Sequence, residues 1–150
     1  MRLPIQIEAI LFRRSDGKIQ YLILKTIPGR GEFWAPITGG LEEGETKREA
    51  MKREIREETG IENIIRIIED VYYYEFQDLP FMEYLKRHGQ ACESLKEYAF
   101  GVEVSSDERV VLDGKEHSEF KWCDFEEAMK LLRYKGNKEA LEKLNEILSM

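Results

Sequence analysis

Glu54, Glu57 and Glu58 stand at positions i, i+3 and i+4 of a segment that reads as a helix, so three carboxylates share one side of it. At 100° per residue they span roughly 100° of arc, beside the apolar stripe of Ala50, Met51 and Ile55 rather than opposite it. Like charges so spaced repel by a few tenths of a kcal/mol per pair on an exposed helix, and by more in drier surroundings. A divalent cation with oxygen preference, Mg²⁺ or Mn²⁺, is the economical way to relieve that repulsion. The competing account is a solvated acidic face neutralised by Arg53, Arg56 and Lys47, and the three glutamates alone favour it.

The wider spacing shifts the balance. Five residues separate Gly39 from Glu45 and seven separate Glu45 from Arg53-Glu54; Ile55, one residue, Glu57-Glu58, one residue and Gly60-Ile61 follow. This segment resembles the Nudix box of the nucleoside-diphosphate-linked hydrolases, with every specified position present. At ordinary residue frequencies such a match arises by chance at roughly 10⁻⁹ per starting position. Gly39, Gly40 and Gly44 let the backbone turn sharply and approach a metal or phosphates with no Cβ in the way. Glu45 leads into the helix, and the planar fork of Arg53 can hold a neighbouring carboxylate by paired hydrogen bonds.

The resemblance implies an α/β fold, the Nudix-type α/β/α sandwich around a mixed β-sheet. It also implies a metal-ligand set of Glu54, Glu57 and Glu58, with Glu57-Glu58 as the firmest pair and a backbone carbonyl near the start of the box often joining. Beyond the box, Phe33-Trp34-Ala35-Pro36-Ile37-Thr38 and the acidic run Glu42-Glu43-Gly44-Glu45 look like the dihydroneopterin-triphosphate pyrophosphatase branch. Glu116-His117, Lys121-Trp122 and Asn137 resemble that branch's final strand and last helix. Glu116 then matches the further metal ligand or water-activating base that family members draw from a distant loop. An ordinary turn residue is the equal alternative, Glu103 and Glu108 compete for the role, and His117 reads as structural. The implied activity is a Mg²⁺-dependent pyrophosphohydrolase cleaving a nucleoside or pterin triphosphate to the monophosphate and pyrophosphate. Arg53, Glu54, Glu58 and Glu116 would carry the chemistry. A dinucleoside polyphosphate or nucleotide-sugar hydrolase, or a non-catalytic nucleotide-sensing module, are the alternatives.

Substrate contacts are less legible. Trp34 and Phe33 could stack on a flat heterocycle, though an aromatic pair beside a strand is more often core. Lys25 and Arg30 could meet phosphates near the box, where Thr26 and Ile27 replace the Arg that relatives commonly carry. Thr38 joins these candidates through its place before the first box glycine. Lys86, Arg87 and His88 form a small basic cluster suited to a polyphosphate, with a solvated loop face as the commoner explanation.

The elements that must position these groups can be traced along the chain. Ile5 to Phe12 and Ile19 to Lys25 flank Ser15-Asp16-Gly17-Lys18 and read as a β-hairpin. Trp34 to Thr38 is a short extended piece. Thr46 to Glu49 fits a capping box, and Gly60 followed by Ile61 fits a left-handed helix stop. Ile64 to Ile68 and Val71 to Phe76 read as two strands, with Tyr72, Tyr73 and Tyr74 filling both faces. Asp78 to Glu93 reads as a loop or short helix, Tyr98 to Val104 and Phe120 to Cys123 as strands, and Phe125 to Leu132 and Asn137 to Leu148 as amphipathic helices. Such alternation suggests a mixed sheet covered by helices.

With 150 residues the chain is sized for one domain, residues 1–150, with a proper core. The charge of −7 argues against a nucleic-acid or anionic-membrane binder, but not against a small polyphosphate that brings or meets a metal. No apolar run approaches the roughly 20 residues of a membrane span. The first residues lack the pattern of a signal peptide. Two cysteines, Cys92 and Cys123, imply neither a disulfide framework nor a structural zinc site, and the expected location is cytoplasmic. Members of the family are often dimers, and a homodimer is left open.

Overall fold

The structure, a computed structural model, describes residues 2–150. Strand β1 (Arg2–Ser15) turns through Asp16 and Gly17, both at positive φ, into β2 (Lys18–Thr26). Two successive left-handed residues match the twist of the flanking strands, and Asp-Gly adopts them at low cost. β1 is central. Its first half pairs antiparallel with β4 (Ile37–Glu42), its last residues pair with β2, and Ile5 to Phe12 run parallel to β6 (Leu95–Val104). β5 (Ile64–Phe76) lies antiparallel outside β6, while β3 (Trp34–Ala35) and β7 (His117–Cys123) both pair with β2. The sheet is therefore mixed.

Strand alternation builds two cores. Ile7, Ala9 and Leu11 point to one face and pack with Ala50, Met51 and Ile55 of α1 (Lys47–Thr59). Ile10 and Phe12 point to the other face and pack with Ala128 of α3 (Phe125–Leu131) and Leu141 and Leu144 of α4 (Lys135–Leu148). The result is an α/β/α sandwich. Among the described residues no helix is long and apolar enough to cross a membrane.

Two elements differ from the sequence expectation, and a third takes one of the two forms expected of it. Residues 64–76 form one strand, because a register shift between Ile68 and Tyr72, with Asp70 at φ 54°, absorbs the polar Glu69-Asp70 break and lets the ladder resume. The segment after Asp78 is a helix, α2 (Leu79–Arg87): the Asp78 carboxylate accepts from Phe81 N–H at 3.2 Å, and Pro80 lies in the first turn. β7 starts at His117 rather than Phe120, with a register irregularity against Lys25 and Thr26 at its first residue.

Candidate active site

Helix α1 is fixed at both ends. Glu49 N–H donates to Thr46 Oγ1 and Thr46 N–H donates to Glu49 Oε1, each at 3.1 Å, and Gly60 closes the helix at φ 76° with its N–H on Arg56 O. Arg53 is the hub of the helix's polar side. Its Nε and Nη2 grip both Glu45 oxygens at 2.7 and 3.0 Å, and Nη2 also donates to Gly40 O at 2.9 Å. Its Nη1 donates to Glu54 Oε1 at 2.8 Å and to Glu57 Oε2 at 3.3 Å. One guanidinium thus ties the glycine strand β4, the loop after it and two helix carboxylates together. The fork holds the Glu45 carboxyl below the usual range.

Gly39 explains why that strand needs glycine. A Cβ there would lie 2.1 Å from Glu54 Cδ and 2.3 Å from its Oε1. The carboxyl therefore occupies the space that any other residue's side chain would fill, and it is 8% exposed. Burial, the leading cause, raises the Glu54 carboxyl above its ordinary range, with the Arg53 hydrogen bond opposing.

The second cluster comes from β7. The irregularity at the start of that strand aims its first side chain inward, and His117 Nδ1 meets Glu58 Oε2 at 2.6 Å. Glu58, His117 and Glu116 bring three potential ligand atoms within 4.8 Å of one another, an acidic group able to hold a metal ion. Burial, first, and the neighbouring Glu116 push the Glu58 carboxyl up to about 7, while His117 opposes. Glu116 is anchored through its own backbone, whose carbonyl accepts from Ile27 N–H at 3.0 Å, and its carboxylate pairs with Arg30 at 3.3 Å.

Of the residues singled out in the sequence, Glu54, Glu116, Arg30 and Thr38 line a cleft of about 620 Å³, while Arg53 and Glu58 stand behind that lining, Arg53 bonded to Glu54 and Glu58 grouped with Glu116 and His117. Glu57 sits at the exposed margin beside Arg53, its side chain 52% accessible. Lys25 is paired with Glu119 at 3.3 Å, outside the cleft lining. Trp34 is also outside it, half-buried against the core under α3 and α4 and bridged to Leu132. Phe33 lines the cleft instead, because Thr26 clamps it: Thr26 N–H donates to Phe33 O at 2.9 Å and Phe33 N–H to Thr26 Oγ1 at 3.0 Å. Strand alternation sends adjacent aromatics to opposite sides, so only one of the pair can face the cleft. Arg87 is exposed at the end of α2, away from the lining residues. Glu103 is engaged by Arg14 and Arg66, each at 3.6 Å, and Glu108 is not in the acidic group. The partner role of Glu45 was missed; its only sequence signal is the spacing of eight residues to Arg53.

A NUDIX domain matches residues 5–144 of the chain. The protein belongs to the NUDIX family. It is 32% identical over 147 residues to the octanoyltransferase of Myxococcus xanthus, covering 93% of this chain and 36% of that one, so it spans about a third of that protein's length. Identity is 25% over 142 residues to the dihydroneopterin triphosphate diphosphatase of Escherichia coli K12, covering 93% of this chain and 90% of the relative. To the asymmetrical bis(5'-nucleosyl)-tetraphosphatase of Caenorhabditis elegans it is 27% over 145 residues, covering 93% of each. A solved NUDIX hydrolase of Listeria monocytogenes superposes with a TM-score of 0.84 at 27% identity, covering 97% of this chain and 94% of that one. As a Nudix hydrolase, the protein is an enzyme of phosphoanhydride bonds in small-molecule phosphates.

Proposed function

We propose that the enzyme hydrolyses a pterin or nucleoside triphosphate to the monophosphate and pyrophosphate, with Mg²⁺ as its cofactor and Mn²⁺ as a substitute. The observation that carries this reading is a cleft lined by Glu54 and Glu116, with Glu58 grouped against Glu116 and His117, that shares Phe33 and Thr38 with a second, aromatic-walled cavity. The donor set suits a hard cation: oxygen ligands crowd one another, and burial, first, with the neighbouring Glu116 holds Glu58 up to about 7. Glu54, Glu57, Glu58 and Glu116 are the residues that would hold the ion. When bound there, it supplies charge neutralisation at the phosphoryl oxygens and a more acidic water.

The chain's own groups have separable tasks in this reading. Glu54, Glu58 or Glu116 accepts the proton of the attacking water, whose oxygen bonds to phosphorus as the bridging P–O bond breaks and pyrophosphate leaves. Arg53 positions Glu54 and Glu45 and is spent on them, so it is not free to grip phosphate. His117 orients Glu58, while Arg30 and Thr38 face the polyphosphate. A second reading, a dinucleoside polyphosphate substrate, is favoured by the comparable likeness to the C. elegans tetraphosphatase.

The test is a substrate panel of dihydroneopterin triphosphate, the deoxynucleoside triphosphates, diadenosine tetraphosphate and a nucleotide sugar, with and without Mg²⁺, products identified by mass. Pyrophosphate plus a monophosphate, lost in Glu57→Gln, supports the proposal. Preferential tetraphosphate cleavage selects the second reading. No cleavage of any compound, with thermal stabilisation by a nucleotide, replaces both with a sensor.

A further inference from the structure

Next to the polyphosphate cleft, and sharing Phe33 and Thr38 with it, lies a cavity of about 850 Å³. Phe33, in edge-to-face contact with Tyr134 at 5.1 Å, and Phe76 supply apolar wall, while Tyr74, Glu97 and Asn137 bring polar groups to its lining. Glu97 is 3% exposed, and Glu8 behind it is 0% exposed. Tyr74 hydroxyl donates to Glu97 Oε2 and Asn137 Nδ2 donates to Glu8 Oε1 at 2.7 Å. Two carboxyls buried on the face covered by α4, with only neutral donors on Glu8, are expensive and not needed to pack a sheet.

One acceptor of Glu8 lacks a donor. Glu8 Oε2 is buried and receives no hydrogen bond from the described residues. A proton shared between the two carboxyls satisfies it; burial raises both, with the adjacent Glu97 adding to the rise on Glu8 and hydrogen bonds from Tyr74 and Glu8 opposing the rise on Glu97. One proton between the two leaves one charge on the pair, and Glu97 is its member that lines the cavity. A carboxylate facing a cavity suits two parallel N–H donors.

We propose that Glu97, positioned by Tyr74 and Glu8, reads the heterocycle of the substrate through an adjacent ring N–H and exocyclic amine, so that the site takes a 2-amino-lactam such as a pterin or guanine in preference to adenine. This rests on the triphosphate reading above and names the base within it. Adenine sets an acceptor nitrogen beside its amine, and that lone pair would face a carboxylate oxygen. A site built to bond a donor pair discriminates strongly against a base that lacks it, here by about 100-fold in kcat/KM.

Two readouts test it. The first is kcat/KM for dGTP and dihydroneopterin triphosphate against dATP, in wild type and Glu97→Gln. The second is binding of guanosine against adenosine to the metal-free protein by NMR titration, which needs no phosphate and no hydrolysis. The expected result is a preference for the 2-amino-lactam in both, collapsing at least tenfold in Glu97→Gln, whose amide sets an N–H against one of the two donors. Should that variant fail to fold, Tyr74→Phe removes the hydroxyl on Glu97 and should shrink the ratio several-fold, which a merely structural role would leave unchanged. An adenine preference in wild type, or an equal loss for both bases in the folded variants, overturns the inference and leaves the hydrolase reading intact. Absent hydrolysis with guanosine preference retained sinks the hydrolase reading and keeps the base reader.

Discussion

Replacing Gly39 by alanine perturbs the site by one methyl group whose position is known. The new carbon would lie 2.1 Å from Cδ, 2.3 Å from Oε1 and 2.4 Å from Cγ of Glu54, so the carboxyl must leave. Because these are atoms of a side chain, the backbone can survive. The stability loss is the overpacking cost of about 1–3 kcal/mol, including the Arg53–Glu54 hydrogen bond at 2.8 Å. At this size that corresponds to roughly 3–10 °C in Tm. Activity should suffer far more, since a carboxylate displaced by an ångström or more from its working position costs about 100-fold. The assays are thermal unfolding and Mg²⁺-dependent pyrophosphate release, with Gly29→Ala as the control, because a Cβ there meets nothing within 4 Å. A Gly39→Ala enzyme within twofold of wild type, with Tm unmoved, would show that Glu54 is not held where the argument needs it.

Glu8→Gln should stabilise the protein at pH 8 and do so less and less toward pH 4.5. A carboxyl raised in the folded state holds its proton there while the unfolded chain releases it, so wild type loses stability as pH rises above the ordinary carboxyl range, and the amide needs no proton. Tm of both proteins across that interval checks it; a pH-independent difference refutes it. Arg53→Lys replaces a fork bonded to Glu45, Glu54 and Gly40 with a point charge, and should cost about 2 kcal/mol and at least tenfold in kcat, measured by urea unfolding and initial rates. Phe33→Leu should raise KM with little change in Tm, whereas Trp34→Leu should lower Tm with KM unchanged; the reverse pattern would return Trp34 to the substrate side.

The box was legible because its constraints are local. A helix sets residues three and four apart on one side whatever surrounds it, and the capping box and glycine stop that bound it are short-range hydrogen bonds found where expected. The central hairpin was legible for the same reason: Asp16-Gly17 encodes its own turn. Glu116 could be nominated only by resemblance, since no local periodicity ties a turn residue to a helix 58 residues earlier in the chain. Glu8 lay unremarked inside the first expected strand and Glu97 just before the expected start of another at Tyr98; the signal available was a charge in step with the inward apolar positions of each strand.

Sequence by itself therefore determined the acidic helix with its caps and carboxylate spacing, the hairpin and the family motif, all of which are written in residues close along the chain. Tertiary structure decided which aromatic of Phe33-Trp34 faces the cleft, how Arg53 is spent, that His117 meets Glu58 and that Glu8 and Glu97 share one buried cluster. Those outcomes depend on strand pairing, where the hydrophobic pattern selects a face but not the neighbour across it. Only once β1, β6 and α4 are packed together do the two carboxyls lose their water and acquire the environment that gives them a role.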